Sequence, residues 1–166
     1  MSTLTISKAV ITANSQRDIT TVFVDGYYDL LSMLCPDKEK LIAALAGGFN
    51  ENVFYIAYLD GKPVGISACS YGAERALRLD KDRLCDAIGE EIGTSAYENL
   101  RGEFHPPLTY PDNTAYIECV AIVPEAQGKG VATKLMKYIL ENAPYSEYIL
   151  EVADTNAAAR KVYEKL

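Results

Sequence analysis

The sequence predicts a mixed α/β (α+β) domain, a sheet with helices packed on its faces, and three stretches carry that expectation. Val53–Leu59 and Val64–Cys69 are β-prone runs joined through Asp60-Gly61, a pair that favours the tight primed turn of a hairpin. Ala115–Val123 is apolar at both parities apart from Glu118, as in a central strand covered on both faces. The period then changes. Gly128–Ala143 reads as a helix with Ala132, Leu135, Met136, Ile139, Leu140 and Ala143 on one face and Pro144 just beyond. Tyr148–Ala153 reads as a further strand and Asn156–Leu166 as a further helix, so the last third runs strand, helix, strand, helix.

The remaining elements follow from the same patterns. Leu4–Val10 is a short β-prone opening. Gln16–Leu34 carries Ile19, Val22, Phe23, Leu30, Leu31 and Leu34 at helical spacing and stops at Cys35-Pro36; Gly26 and the Tyr27-Tyr28 pair mark a kink within it. Asp37–Ala46 is a second helix closed by Gly47-Gly48. Residues 72–112 differ in texture: Ala73–Leu100 is charged and helix-prone, interrupted by Gly89 and Gly93, and the loop His105–Pro111 is rich in proline. This stretch reads as a helical insertion before the central strand, so residues 1–166 form a single domain, a length that suits one sizeable core.

Composition narrows the function. Hydrophobic residues make up 49% and charged residues 23%, which is ordinary globular usage rather than disorder. A net charge of −7 argues against a nucleic-acid partner bound through a basic face. Cys35, Cys69, Cys85 and Cys119 form no C-x-x-C pair, and with His105 as the single histidine no zinc site is expected, nor any other metal. The N-terminus lacks a basic start followed by a long apolar run, and no later run reaches membrane-span length. The expectation is a cytoplasmic protein with no membrane partner.

The stretch Val123–Leu135, VPEAQGKGVATKL, places two glycines one residue apart where the strand becomes a helix. The first backbone N–H groups of a helix lack partners and carry partial positive charge, which suits a phosphate, and glycine leaves the approach clear. A helix that merely starts after a flexible turn has the same spacing. A Walker A loop needs Ser or Thr after Gly-Lys, whereas Gly130 follows Lys129. The dinucleotide fingerprint wants a third glycine where Thr133 stands, although Glu151 lies at a tolerable distance for a ribose-binding acid, so a dinucleotide-binding protein stays open.

The run Val120-Ala-Ile-Val-Pro124 followed by Gln127-Gly-Lys-Gly-Val-Ala132 resembles the Q/R-x-x-G-x-G/A signature of the GNAT superfamily of N-acetyltransferases. Asn156-Ala-Ala-Ala-Arg-Lys-Val-Tyr-Glu-Lys-Leu166 is similar to that family's N-x-x-A-x-x-x-Y-E-K-L helix. The resemblance implies a central, mostly antiparallel sheet flanked by helices and an acetyl-CoA-dependent N-acetyltransferase acting on a primary amine, in a small molecule or a peptide. It implies that amides of Gln127, Gly128, Lys129, Gly130, Val131 and Ala132 hold the pyrophosphate. The backbone of Val120, Ala121 and Ile122 would pair with the pantetheine arm like an extra strand. It implies that Asn156 positions the cosubstrate and Tyr163 protonates the departing thiolate; a packing tyrosine is the alternative.

Glu118 carries two readings: a general base for the acceptor amine, with the pKa that burial raises, or a carboxylate paired with a nearby arginine or lysine. The chain ends at Leu166, where the family continues with Gly-Phe and further strands. A homodimer through the outer edge of Tyr148–Ala153 is therefore expected. A non-catalytic acyl-CoA-binding module remains the rival reading.

Overall fold

A computed structural model describes residues 2–9 and 13–151. Its frame is a five-stranded sheet in the order β1-β2-β3-β4-β5, with strands Leu4–Lys8, Phe54–Leu59, Lys62–Ser70, Thr114–Ile122 and Glu147–Leu150. The first three contacts are antiparallel, and β4 and β5 run parallel. The predicted hairpin is present, with Asp60 and Gly61 both at positive φ (52° and 83°), as a primed turn requires.

Two layers of helix cover this sheet. On one face lie α1 (Ala13–Gly26), the short α2 (Tyr28–Leu31), α3 (Lys38–Leu45) and the insertion helices α4 (Lys81–Ile88) and α5 (Glu90–Phe104); α6 (Val131–Asn142) covers the other. Strand alternation assigns the faces. A Cβ at Gly26 of α1 would stand 2.8 Å from Ala121 Cβ, whereas one at Gly65 would meet Val131 of α6 at 3.1 Å. The core between the layers is built on Ile19, Val22, Phe54, Ile56 and Ile66, with Leu135, Met136 and Ile139 from α6.

The sequence expectations meet three corrections. Ala73–Asp80 is not helical. It is an extended strap, with Asn50 N–H bonded to Ala76 C=O (2.9 Å), Arg78 N–H to Gly48 C=O (2.9 Å), and a bridge between Phe49 and Leu77. Backbone pairing across the fold outweighs the local helix propensity there. The helices that follow break at Gly89 alone; Gly93 continues α5, because only a residue without Cβ passes the Cys85 backbone at 2.6 Å. Leu140, expected on the buried face of α6, is 40% exposed. The expected kink in the first helix is real, with α1 ending at Gly26 and α2 starting after Tyr27 (φ −104°, ψ 15°).

Candidate acyl-carrier site at the opened strand

Strand β4 pairs with β5 from Thr114 to Ile117, and among the described residues its β5-facing edge is unpaired from Glu118 onward. At the same point β4 bulges. Ala68 pairs with Glu118 and Ile66 with Ala121, so two steps on β3 match three on β4, and Cys119 takes a positive φ of 54°. The bulge sets what the open edge offers. Val123 N–H bonds to Val64 C=O (2.9 Å), and antiparallel alternation directs the polar backbone groups of Ala121, paired with Ile66, toward β3 as well. The groups of Val120 and Ile122 therefore face away from β3. Ala121 thus belongs to the sheet ladder, which leaves Val120 and Ile122 of the three facing the open edge.

Both outward carbonyls already meet side chains. The Tyr27 hydroxyl donates to Val120 C=O at 2.7 Å, and Gln127 Nε2 donates to Ile122 C=O at 3.2 Å. Gln127 thus ties the loop to the strand through its side chain. Tyr27 was missed by sequence reasoning, its only trace being the Gly-Tyr-Tyr kink.

Past Ile122 the chain makes one 3-10 turn, Pro124–Ala126, pinned by buried Val123 and Ala126, and then the Gly128–Gly130 turn into α6. Gly128 and Gly130 sit at φ +78° and +79°, where L side chains are rarely found, and a Cβ on either would meet nothing within 4 Å. The backbone turn needs both glycines, and the space above them is open. The N-cap of α6, Gly130, has no side chain to cap it, and no acidic residue stands in the helix's first turn. Among the described residues its early N–H groups therefore lack an N-cap side-chain acceptor, the feature an anion can supply. Gln127, Gly128, Lys129 and Gly130 are exposed on this turn, Ala132 is half-buried, and Val131 buries its side chain while its amide opens the helix.

Glu118 is the paired carboxylate of its two readings. Arg75 holds it at both oxygens, Nη2 to Oε1 at 2.8 Å and Nε to Oε2 at 3.0 Å, with both side chains at least nine-tenths buried. The Ser70 hydroxyl and the Ala76 N–H (3.3 Å) also donate to Oε2. Arg75 is consumed in turn by Pro106 C=O (2.6 Å) and Glu103 C=O (2.8 Å), and its hydrogen bonds to Glu118 push its pKa further up. With three donors on Oε2 and one on Oε1, Glu118 clamps the strap and the end of α5 onto β4. Nothing local in the sequence picks out Arg75, 43 residues away, as its partner.

Two further concavities lie elsewhere, one of about 420 Å³ between the end of α3 and the start of α4, the other of about 510 Å³ on the outer face of α5. Among the described residues no cluster of His, Cys, Asp and Glu could hold a metal, and no helix is long and apolar enough to cross a membrane. Asn156, Tyr163 and the last predicted helix lie outside the described residues.

With this geometry in hand, comparison with known proteins is direct. The profile of the acetyltransferase (GNAT) family matches residues 20–166, and the chain belongs to that family. Among solved structures it is similar to an N-acetyltransferase from Staphylococcus aureus Mu50, with TM-score 0.60 and 20% identity over 97% of this chain and 88% of that one. It is similar also to the ribosomal-protein-S18-alanine N-acetyltransferase of Escherichia coli (TM-score 0.52, 14% identity, 98% of this chain and 76% of that one). A provisionally assigned acetyltransferase from Pyrococcus horikoshii gives TM-score 0.55 at 13% identity; this chain is covered to 98% and spans 42% of that one. At these identities the likeness is one of fold. Comparison with curated proteins finds no match.

Proposed function

We propose that the protein transfers the acetyl group of acetyl-CoA directly to a primary amine. The observation that carries this reading is the continuity of the open edge of β4, at Val120 and Ile122, with the glycine turn at the uncapped start of α6. An extended arm ending in a pyrophosphate matches that pair of features: its amides pair with the strand and its phosphates meet the helix N-terminus. The amine nitrogen attacks the thioester carbon, the C–S bond breaks, and the proton lost by the amine ends on the CoA sulfur. Backbone N–H groups of the opened strand stabilise the oxyanion. Tyr163 supplies the proton to the thiolate and Asn156 orients the cosubstrate, on the strength of their motif.

Direct transfer is favoured over an acyl-cysteine intermediate by the state of the nearest thiol. Cys119 lies within the bulge, and burial first, then the Glu118 charge, pushes its pKa well up, which leaves it a neutral and poor nucleophile. The acceptor is a small-molecule or peptide amine.

Thermal melting with and without acetyl-CoA, followed by thiol release over a panel of amines, tests the reading. A rise in melting temperature together with amine-dependent thiol release is the expected result. A shift without release favours the binding module, and a shift with NAD but not with CoA favours the dinucleotide reading.

A further inference from the structure

We propose that Tyr27 is a positioning residue for acyl transfer: its hydroxyl holds the Val120 carbonyl so that the open edge of β4 presents donors, not lone pairs, to the thioester oxygen. The inference rests on the acetyl-transfer reading above.

The placement is built from several sides. Helix α1 must end close against β4 for a phenol to reach the strand, and Gly26 permits it, since a Cβ there would stand 2.8 Å from Ala121 Cβ and 3.2 Å from Ile122 N. The Tyr27 ring then rests on Phe23, ring centroids 4.8 Å apart, which aims the hydroxyl at Val120 C=O at 2.7 Å. Val120 directly follows the Cys119 bulge and lies beyond the last β4–β5 pair, so this carbonyl belongs to the edge that the sheet leaves open among the described residues.

The chemistry follows from strand geometry. In a β-strand the N–H and C=O of one residue point to the same edge. Negative charge developing on the thioester oxygen at this edge is attracted by the Val120 N–H and repelled by the lone pairs of the Val120 carbonyl beside it. A hydroxyl donating to that carbonyl reduces the repulsion and fixes the peptide in one orientation. Because a carbonyl oxygen accepts two hydrogen bonds, an amide N–H of an incoming arm still pairs with Val120 while Tyr27 stays in place. The benefit grows as charge develops, so it belongs to the transition state and not to binding.

The test compares wild type with Tyr27→Phe, which keeps the ring and removes the donor. Turnover should fall roughly 10-fold, below the 10²–10³ typical of a donor that touches the oxyanion itself. Acetyl-CoA affinity by calorimetry and the melting temperature should stay near wild type. A chain carrying 3-fluorotyrosine at position 27, with a more acidic phenol and an unchanged fold, should turn over at least as fast as wild type. Equal turnover in wild type and Tyr27→Phe overturns the inference alone. So does a loss of affinity and melting temperature that matches the loss of rate, since that is what a packing residue produces. If Tyr27→Phe does not fold, a fluorotyrosine chain slower than wild type overturns it. Wild-type protein that acetylates no amine overturns both the inference and the reading on which it stands.

Discussion

The two halves of β4 are held by opposite means. From Thr114 to Glu118 the strand is held by distant partners: β5 pairs with Thr114–Ile117, β3 with Tyr116–Glu118, and the Glu118 carboxylate gathers donors from Arg75, Ser70 and Ala76, between 42 and 48 residues away in sequence. From Val120 onward it is held on one side by β3, and the turn after it is kept by short-range bonds, Ala126 N–H to Val123 C=O (3.0 Å), Gln127 N–H to Pro124 C=O (3.2 Å) and the Gln127 side chain to Ile122. The first half is an anchor; the second keeps one edge unpaired among the described residues. A strand that opens needs one end that cannot, and the bulge at Cys119 is the boundary between them.

The sharpest way to break the anchor is Arg75→Ala, which leaves Glu118 buried without its cation. It should destabilise the fold by about 3–5 kcal/mol in urea denaturation, the usual consequence of removing one partner of a buried pair. Removing both charges at once, Arg75→Met with Glu118→Leu, should recover part of that loss. If the single variant unfolds like wild type, the anchor is not the ion pair.

On the open half, Gly130→Leu should cost about 1–2 kcal/mol, because a side chain at φ +79° is strained while the space beyond it is empty. Its larger effect should be on ligand: acetyl-CoA affinity, measured by calorimetry, should drop at least about 10-fold as the side chain blocks approach to the α6 amides. Unchanged affinity would remove the phosphate role of this turn.

Between the halves, opposite the bulge, Ser67 is fully buried with an unpartnered hydroxyl among the described residues. Ser67→Ala should therefore raise stability by about 1 kcal/mol, where replacing a satisfied serine would lower it.

The smallest effect concerns the far side of the anchor. His105 Nε2 accepts the Leu79 N–H at 2.8 Å, which requires a neutral ring, and burial, followed by the charges of Arg78, Arg101 and Arg75, lowers its pKa from 6.5. The unfolded chain then binds the proton more readily than the folded one, so stability falls as pH drops below about 6.5 and is fully present above it. His105→Gln should flatten that acid-side slope in melts taken from pH 5 to pH 8.

Local chemistry made much of this protein legible from its sequence. The Asp60-Gly61 turn, the apolar run of β4, the Gly128–Gly130 turn and the amphipathic stretch of α6 each depend on residues adjacent in the chain, and each is found at or near its predicted place. Leu140 is the telling miss, because periodicity assigns a face but not which part of that face a neighbour covers.

Only the tertiary structure decided the rest, and the reason is the same in each case. The strap at Ala73–Asp80 gave up helix for pairing with Gly48–Asn50; Glu118 became an anchor because the fold delivers Arg75 to it; and Ala121 turned inward because a bulge shifts the alternation by one residue. Tyr27 reached the edge of β4 because Gly26 lets α1 end against it. A sequence encodes directly what neighbouring residues settle among themselves. Which distant group fills a hydrogen bond, and which edge of a strand is left open, depends on the packing of elements far apart in the chain.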